Sequence, residues 1–307
     1  MPIVYVASPL AGDGKSMLAA GLAGALRADG PSVRLVRLVG GGSDGADATT
    51  FTLVHGVRSS GEPADLGGSD IEDGDADLTI VEVPSGELLA AARSRHSGQV
   101  ILVTRPGQAD NVTLSRVVAE HGPVAIVLNS VDPQQAANAP LESPSYGVET
   151  IGWIPQDRLL SAPSVRAMAE AVDGRVSGSI ERQAEAVTWL QIGPISAHSG
   201  IDHFSRYPDK AVVTRHDKID VALSALDSEP ACLILSGGEP NLPYVMQRAE
   251  SEDFALIVTP LSTPDVATRI GALYAHSPFQ GRRKVDRAVA LVREHVDLAA
   301  TRRIVAS

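Results

Sequence analysis

Gly12, Asp13, Gly14, Lys15 and Ser16 close the stretch SPLAGDGKS, which lies between the apolar run IVYVA and the helical run MLAAGLAGALRADG. Residues of these types in this order can hold a phosphate. Successive backbone N–H groups wrap its oxygens, a lysine neutralises its charge, and a serine hydroxyl takes a place on magnesium. The stretch begins differently from the common pattern. A glycine five residues ahead of the Gly-Lys pair would fall at Pro9, which has no N–H to offer. With one more spacer residue it falls at Ser8. The competing reading of the same residues is a glycine-rich turn that only packs a strand against a helix.

Magnesium on a nucleotide needs further oxygen ligands, commonly carboxylates at the ends of neighbouring strands. Glu82 ends the apolar run LTIVEV, and Asp47 lies in a Gly/Asp-rich loop after VRLVRLV. A strand-end acid by itself is commonly just solvated. The joint occurrence of both with Lys15 and Ser16 carries the metal expectation.

The elements that must position these residues follow from the apolar pattern. IVYVA, VRLVRLV, LTIVEV, QVILVT, PVAIVLN and ETIGWIP read as strands buried on both faces, and SMLAAGLAGALRA and NVTLSRVVAEHG read as helices. This is a doubly wound α/β layout with a mostly parallel sheet. After SVRAMAEAV the polar DGRVSGSIERQ marks a boundary near residues 174–184. A second α/β series follows, with strands in AVTWLQIG, KAVVTR, ACLILSG and FALIVTP and helices in IDVALSALDS and LPYVMQRAES. The expected domains are 1–175 and 184–307, as befits a 307-residue chain.

SPLAGDGKS, VRLVR, GADATTF, TIVEVPSG, VILVTRPG, VAIVLNSV and IGWIPQDRLLSAPSVRAMAE, in that order, resemble the dethiobiotin-synthetase-like P-loop domain at the N-terminus of long bacterial phosphotransacetylases. TRHDKIDVALSAL and LILSGG resemble the DRTGG domain that follows it there, with Asp217, Lys218, Ser236, Gly237 and Gly238 at its signature positions. The resemblance implies a P-loop NTPase-like sheet followed by a smaller DRTGG-like α/β domain. It also implies Lys15 and the loop backbone for phosphates, Ser16, Asp47 and Glu82 for magnesium, and Asn129 near the nucleotide base.

There are departures. The family's first loop glycine is Ser8, the substrate-side lysine of the synthetases aligns with Arg37, and their EGAGG loop reads EVPSG. Val83 and Pro84 thus remove glycine backbone used around a substrate, while Arg37 can still hold an anion. The signature of the second domain has Lys for Arg and Ser for Thr. In the resembled enzymes the phosphotransacetylase activity resides in a C-terminal catalytic domain, and the sequence ends at Ser307 without one, so that activity is not expected.

Composition narrows the partners. A net charge of −11 gives no reason to approach nucleic acid or an anionic membrane. The single cysteine, Cys232 in ACLILS, excludes an internal disulfide framework and reads as a buried small hydrophobe. No signal peptide or membrane span is visible, so a cytoplasmic setting is expected.

Several weaker signals have plain readings. The acids Asp70, Glu72, Asp73, Asp75 and Asp77 do not match a calcium loop, and His198 and His203 lack companion ligands. Ser85 in VPSGE lacks a nucleophile turn and reads as a loop serine. In GRRKVDRAVALVREHV the apolar face is expected to cover the second domain while Arg282, Arg283 and Lys284 stay solvated. TRHDK and SGGEPN follow strands, where ligand loops gather, yet a tight turn and a surface His216 fit equally.

The expected function is an ATP- and magnesium-binding regulatory or sensor protein, a homo-oligomer that also meets a small metabolite. Two alternatives stand beside it. One is an ATP-dependent ligase or synthase acting on a small carboxylate through Lys15, Arg37, Asp47 and Glu82, and the other is an oligomerisation scaffold with a vestigial site.

Overall fold

The structure is a computed structural model that describes residues 2–28, 30–38, 76–107, 111–134, 148–193, 200–239 and 243–306. Asp47, the acidic residues of 70–75 and His198 lie outside the described residues. The chain divides into two compact units, Met1–Leu160 with Phe279–Ser307, and Ser161–Pro278.

In the first unit β1 (Ile3–Ala7) leads into α1 (Lys15–Arg27), followed by β2 (Val33–Arg37), β3 (Leu78–Glu82), α2 (Gly86–Arg93), β4 (Gln99–Thr104), α3 (Asn111–His121), β5 (Ala125–Val131) and β6 (Glu149–Pro155). The strands form one parallel sheet in the order β2-β3-β1-β4-β5-β6. The apolar runs explain it: every residue of β1 and β3 is buried, as central parallel strands covered on both faces require. One apolar layer joins α1 through Leu18 and Leu22 to Val4, Ile80 and Ile101, and the other gathers Tyr5, Val81, Leu89 and Leu102. Tyr5 satisfies its buried hydroxyl by donating to the His96 carbonyl at 3.0 Å.

The second unit begins with α4 (Val165–Ala171), β7 (Arg175–Ser177), α5 (Ile180–Ala184), β8 (Trp189–Ile192) and α6 (Gly200–Phe204). It continues through β9 (Lys210–Arg215), α7 (Ile219–Asp227), β10 (Cys232–Ser236), α8 (Pro243–Ser251), β11 (Ala255–Thr259) and α9 (Thr263–His276). Its sheet runs β7-β11-β10-β9-β8, parallel except for β7, which pairs antiparallel with β11. Cys232 is buried in this core as expected. The α/β class with a larger parallel sheet followed by a smaller α/β region is therefore observed.

The domain limits differ from the expected 1–175 and 184–307. The polar stretch read as a boundary contributes β7 and α5, and α4 belongs to the second unit because Val165, Met168 and Ala169 pack with Val213, Ile234 and Ile257. The C-terminal helices α10 (Arg282–His295) and α11 (Leu298–Ala306) return to the first unit. Val285, Ala288, Leu291 and Val292 form a helical stripe in the same cluster as Leu18 and Leu22, each large side chain contributing roughly 1.5–3 kcal/mol on burial. Lys284, expected to be solvated, lies on that inward side and is buried. The close approach of the two helices needs Gly21, where a Cβ would stand 2.6 Å from Val292 Cγ2 and 3.0 Å from the Ala288 carbonyl oxygen. Among the described residues no helix is long and apolar enough to cross a membrane.

Candidate functional site

The loop between β1 and α1 is held from beneath by its own acid and by a neighbouring strand. Asp13 is fully buried, and its Oδ2 accepts the Leu10 N–H at 3.1 Å. Asn129 of β5 donates from Nδ2 to the Asp13 carbonyl at 2.8 Å. Gly14 then turns the chain with φ 103°, and a Cβ there would run into the Asn129 amide, so only glycine fits. Leu10, Ala11 and Gly12 form the exposed tip.

Gly14 caps α1 without any side-chain hydrogen bond, and no acid occupies the first turn of this 13-residue helix. A helix start of that kind presents backbone N–H groups and the positive end of the helix dipole, which together favour an anion.

Lys15 stands at this helix start and donates from Nζ to Ser8 Oγ at 2.8 Å. The Ser8 hydroxyl in turn donates to the Leu10 carbonyl at 2.6 Å. Burial lowers the Lys15 pKa, the charges of Glu82 and Asp13 oppose that shift, and Arg37 adds to it. For Asp13 burial raises the pKa against the pull of the Leu10 N–H, Lys15 and Arg105.

Ser16 donates from Oγ to Glu82 Oε1 at 2.7 Å. Glu82 ends β3 in register with Val6 of β1 and Arg37 of β2, and Arg37 Nε lies 3.9 Å from Glu82 Oε2. The sheet thus brings Lys15, Ser16, Arg37 and Glu82 to its carboxyl edge, the usual place for a ligand in an open α/β sheet. The oxygens of Ser16 and Glu82 fit magnesium, which binds one or two carboxylates and completes its shell with water and phosphate oxygens. Among the described residues no group of three or more His, Cys, Asp and Glu forms an all-protein metal cage.

Of the expected site residues, Gly12, Asp13, Gly14, Lys15, Ser16, Arg37, Glu82 and Asn129 are all in or beside this loop, while Asp47 lies outside the described residues. Asn129, expected near a base, spends an amide hydrogen on the Asp13 carbonyl. Sequence reasoning missed Ser8 as the partner of Lys15. It also missed Thr104, the last residue of β4, and Arg105 directly after it. Thr104 Oγ1, Arg105 Nε and Asp13 Oδ1 are buried without a hydrogen-bond partner. Polar residues directly at the carboxyl end of a central strand were the available signal. Ser85 accepts the Leu88 N–H and caps α2, the structural role expected of a loop serine.

In the second unit the glycine loop is knitted into the fold. Gly237 N–H donates to the Leu261 carbonyl at 2.7 Å and Gly238 N–H to that of Thr259 at 3.2 Å. Ser236 Oγ donates to the Thr214 carbonyl and lies 2.7 Å from Thr263 Oγ1. The His216 ring sits 3.1 Å from the position of a Gly237 Cβ. The glycines therefore serve a tight turn, and their N–H groups are engaged. Asp217 pairs with Arg215 at 2.6 Å on the surface.

The sequence profile of the DRTGG domain matches residues 167–273, which fall within the second unit. Three solved structures are similar to part of this chain. The MinC:MinD cell division protein complex of Aquifex aeolicus is 18% identical over 52% of this chain and 84% of its own, with a TM-score of 0.41. The signal recognition particle receptor FtsY of Elizabethkingia anophelis is 13% identical over 51% and 59%, with a TM-score of 0.38. The cobyrinic acid a,c-diamide synthase of Mycobacterium smegmatis, solved with bound ADP and magnesium, is 18% identical over 51% and 87%, with a TM-score of 0.31. Residues 167–273 thus match the DRTGG domain, and they follow a unit built on a six-stranded parallel sheet.

Proposed function

We propose that the first unit binds a nucleoside triphosphate, ATP, together with magnesium, and that the protein is a regulatory or sensor module rather than a phosphoryl-transfer enzyme. The observation that carries this reading is the 2.7 Å bond from Ser16 Oγ to Glu82 Oε1 beside Lys15 at an uncapped helix start. Ser16 and Glu82 would hold magnesium, with Asp47 as a further proposed ligand, and the loop N–H groups and Lys15 would hold the phosphates. Magnesium, when bound, neutralises charge on the terminal phosphates.

The loop after β3 supports binding without turnover. Val83 is buried and its N–H is spent on the Val6 carbonyl at 3.0 Å, and Pro84 has no N–H. Neither residue can offer the backbone donors that the resembled synthetases use around a substrate. The resemblance to the N-terminal region of phosphotransacetylases supports a setting in the cytoplasm, near acetyl phosphate or acetyl-CoA metabolism. It also supports a homo-oligomer with a small metabolite as effector.

Calorimetric titration with a non-hydrolysable ATP analogue, with and without magnesium, tests the reading beside Lys15→Ala. Magnesium-dependent binding that Lys15→Ala strongly weakens is the expected result. A folded, nucleotide-free wild-type protein that takes up no analogue overturns it. Sedimentation velocity on the same samples reads the oligomeric state.

A further inference from the structure

We infer that Ser8 is a positioning residue for Lys15, so that the departure at the start of the loop is a working part of the phosphate site. This rests on the phosphate-binding reading above. The Ser8 hydroxyl is fixed at both ends, accepting from Lys15 Nζ at 2.8 Å and donating to the Leu10 carbonyl at 2.6 Å. An ammonium has three donors, so one is used by Ser8 and two remain for phosphate oxygens.

The restraint matters because the lysine has other places to go. Glu82 and Asp13 both attract its charge. A swing onto Glu82 would set the ammonium against the carboxylate that Ser16 holds at 2.7 Å. A flexible four-carbon side chain adopts one geometry only when something holds its head. At position 8 a glycine has no side-chain acceptor, and at position 9 proline has no N–H and a fixed φ. The two departures therefore act together: Pro9 stiffens the turn, and Ser8 holds the lysine by a hydroxyl.

Two measurements on Ser8→Ala, Ser8→Thr and Lys15→Ala test this, with thermal melts to confirm that each variant is folded. The first is calorimetric affinity for the magnesium complex of a non-hydrolysable ATP analogue and for ADP. Ser8→Ala is expected to weaken the triphosphate about tenfold, the scale of a hydrogen bond to a charged group. ADP should weaken less, because the lysine addresses the terminal phosphates. Ser8→Thr should restore the triphosphate to within about twofold, and Ser8→Ala should add nothing in the Lys15→Ala background, where no lysine remains to be placed. Equal affinity in Ser8→Ala and wild type, or a full further loss in the Lys15→Ala background, overturns the inference.

The second measurement is the rate of Lys15 acylation by an amine-reactive ester, read by mass spectrometry without nucleotide. Release of Nζ in Ser8→Ala should raise the rate several-fold, and Ser8→Thr should return it. If wild type binds no triphosphate and the labelling still rises, the nucleotide reading fails while Ser8 keeps its hold on Lys15. Unchanged labelling overturns the role of Ser8 whatever the nucleotide does.

Discussion

The hydroxyl of Ser16 and the carboxylate of Glu82, 66 residues apart in sequence, meet at 2.7 Å. The hydroxyl sits in the first turn of α1 and the carboxylate at the end of β3, so the bond joins the helix start to the strand beside β1. Both oxygens thus lie together at the carboxyl edge of the sheet, within reach of one hard cation that could also take phosphate oxygens as ligands.

Glu82→Gln keeps an oxygen that can accept from Ser16 and removes the charge. Binding of an ATP analogue without magnesium should change by less than about threefold, while the gain on adding magnesium should fall about tenfold or more, the loss of one charged ligand. Paired titrations with and without the metal check this. An undiminished magnesium effect would exclude Glu82 from the ion.

Gly14→Ala should destabilise the first unit by roughly 1–3 kcal/mol, since a non-glycine residue at φ 103° is strained and its Cβ meets the Asn129 amide. Asn129→Ala, which leaves the Asp13 carbonyl without its donor, should cost about 1 kcal/mol. In the double variant the steric part of the Gly14→Ala loss should disappear and the backbone part remain. Urea denaturation of all three variants separates the terms.

Two helical glycines should respond oppositely. Gly21→Val drives a branched side chain into Val292 and the Ala288 carbonyl and should cost about 1–3 kcal/mol. Gly271→Ala in α9 meets nothing within 4 Å and should stabilise by about 0.5–1 kcal/mol through helix propensity. Denaturant midpoints decide both signs.

Alkaline pH should unfold the protein early. Burial pushes the Cys232 thiol from 9.0 up to about 12 and the Tyr5 hydroxyl from 10.0 up to about 12. Both groups stay protonated in the folded chain while the unfolded chain ionises. Their contribution is complete below pH 9 and declines as pH rises from there toward 12. Melting temperatures should therefore fall across that window, and less steeply in Cys232→Ala once its lower starting stability is allowed for. Thiol alkylation at pH 8 should follow unfolding; rapid alkylation of folded protein would contradict the burial argument.

Much of the fold was legible because its signals are local. β1, β3 and β4 are short Val/Ile/Leu runs that leave little choice but a strand buried on both faces, and the glycines before Lys15 announce a turn into α1. The destination of α10 was not legible. Its apolar stripe states that one side is buried but not against which unit, and small residues in α1, Gly21 among them, accept it. The stretch around β7 read as a boundary because a three-residue edge strand carries almost no pattern.

By itself the sequence determined the chemistry available to this protein: a lysine and a serine after a glycine turn, strand-end acids, and the loss of glycine at Ser8 and Pro9. Those are properties of residue type and spacing, which no folding changes. Only the tertiary structure decided which of them meet. Glu82 reaches Ser16 because β3 lies beside β1 in the sheet, Asn129 reaches Asp13 because β5 ends beside the loop, and Ser8 reaches Lys15 because the loop folds back over seven residues. Strand order and loop closure are set by packing between distant segments, and that information is spread over the whole core rather than written at the residues it brings together.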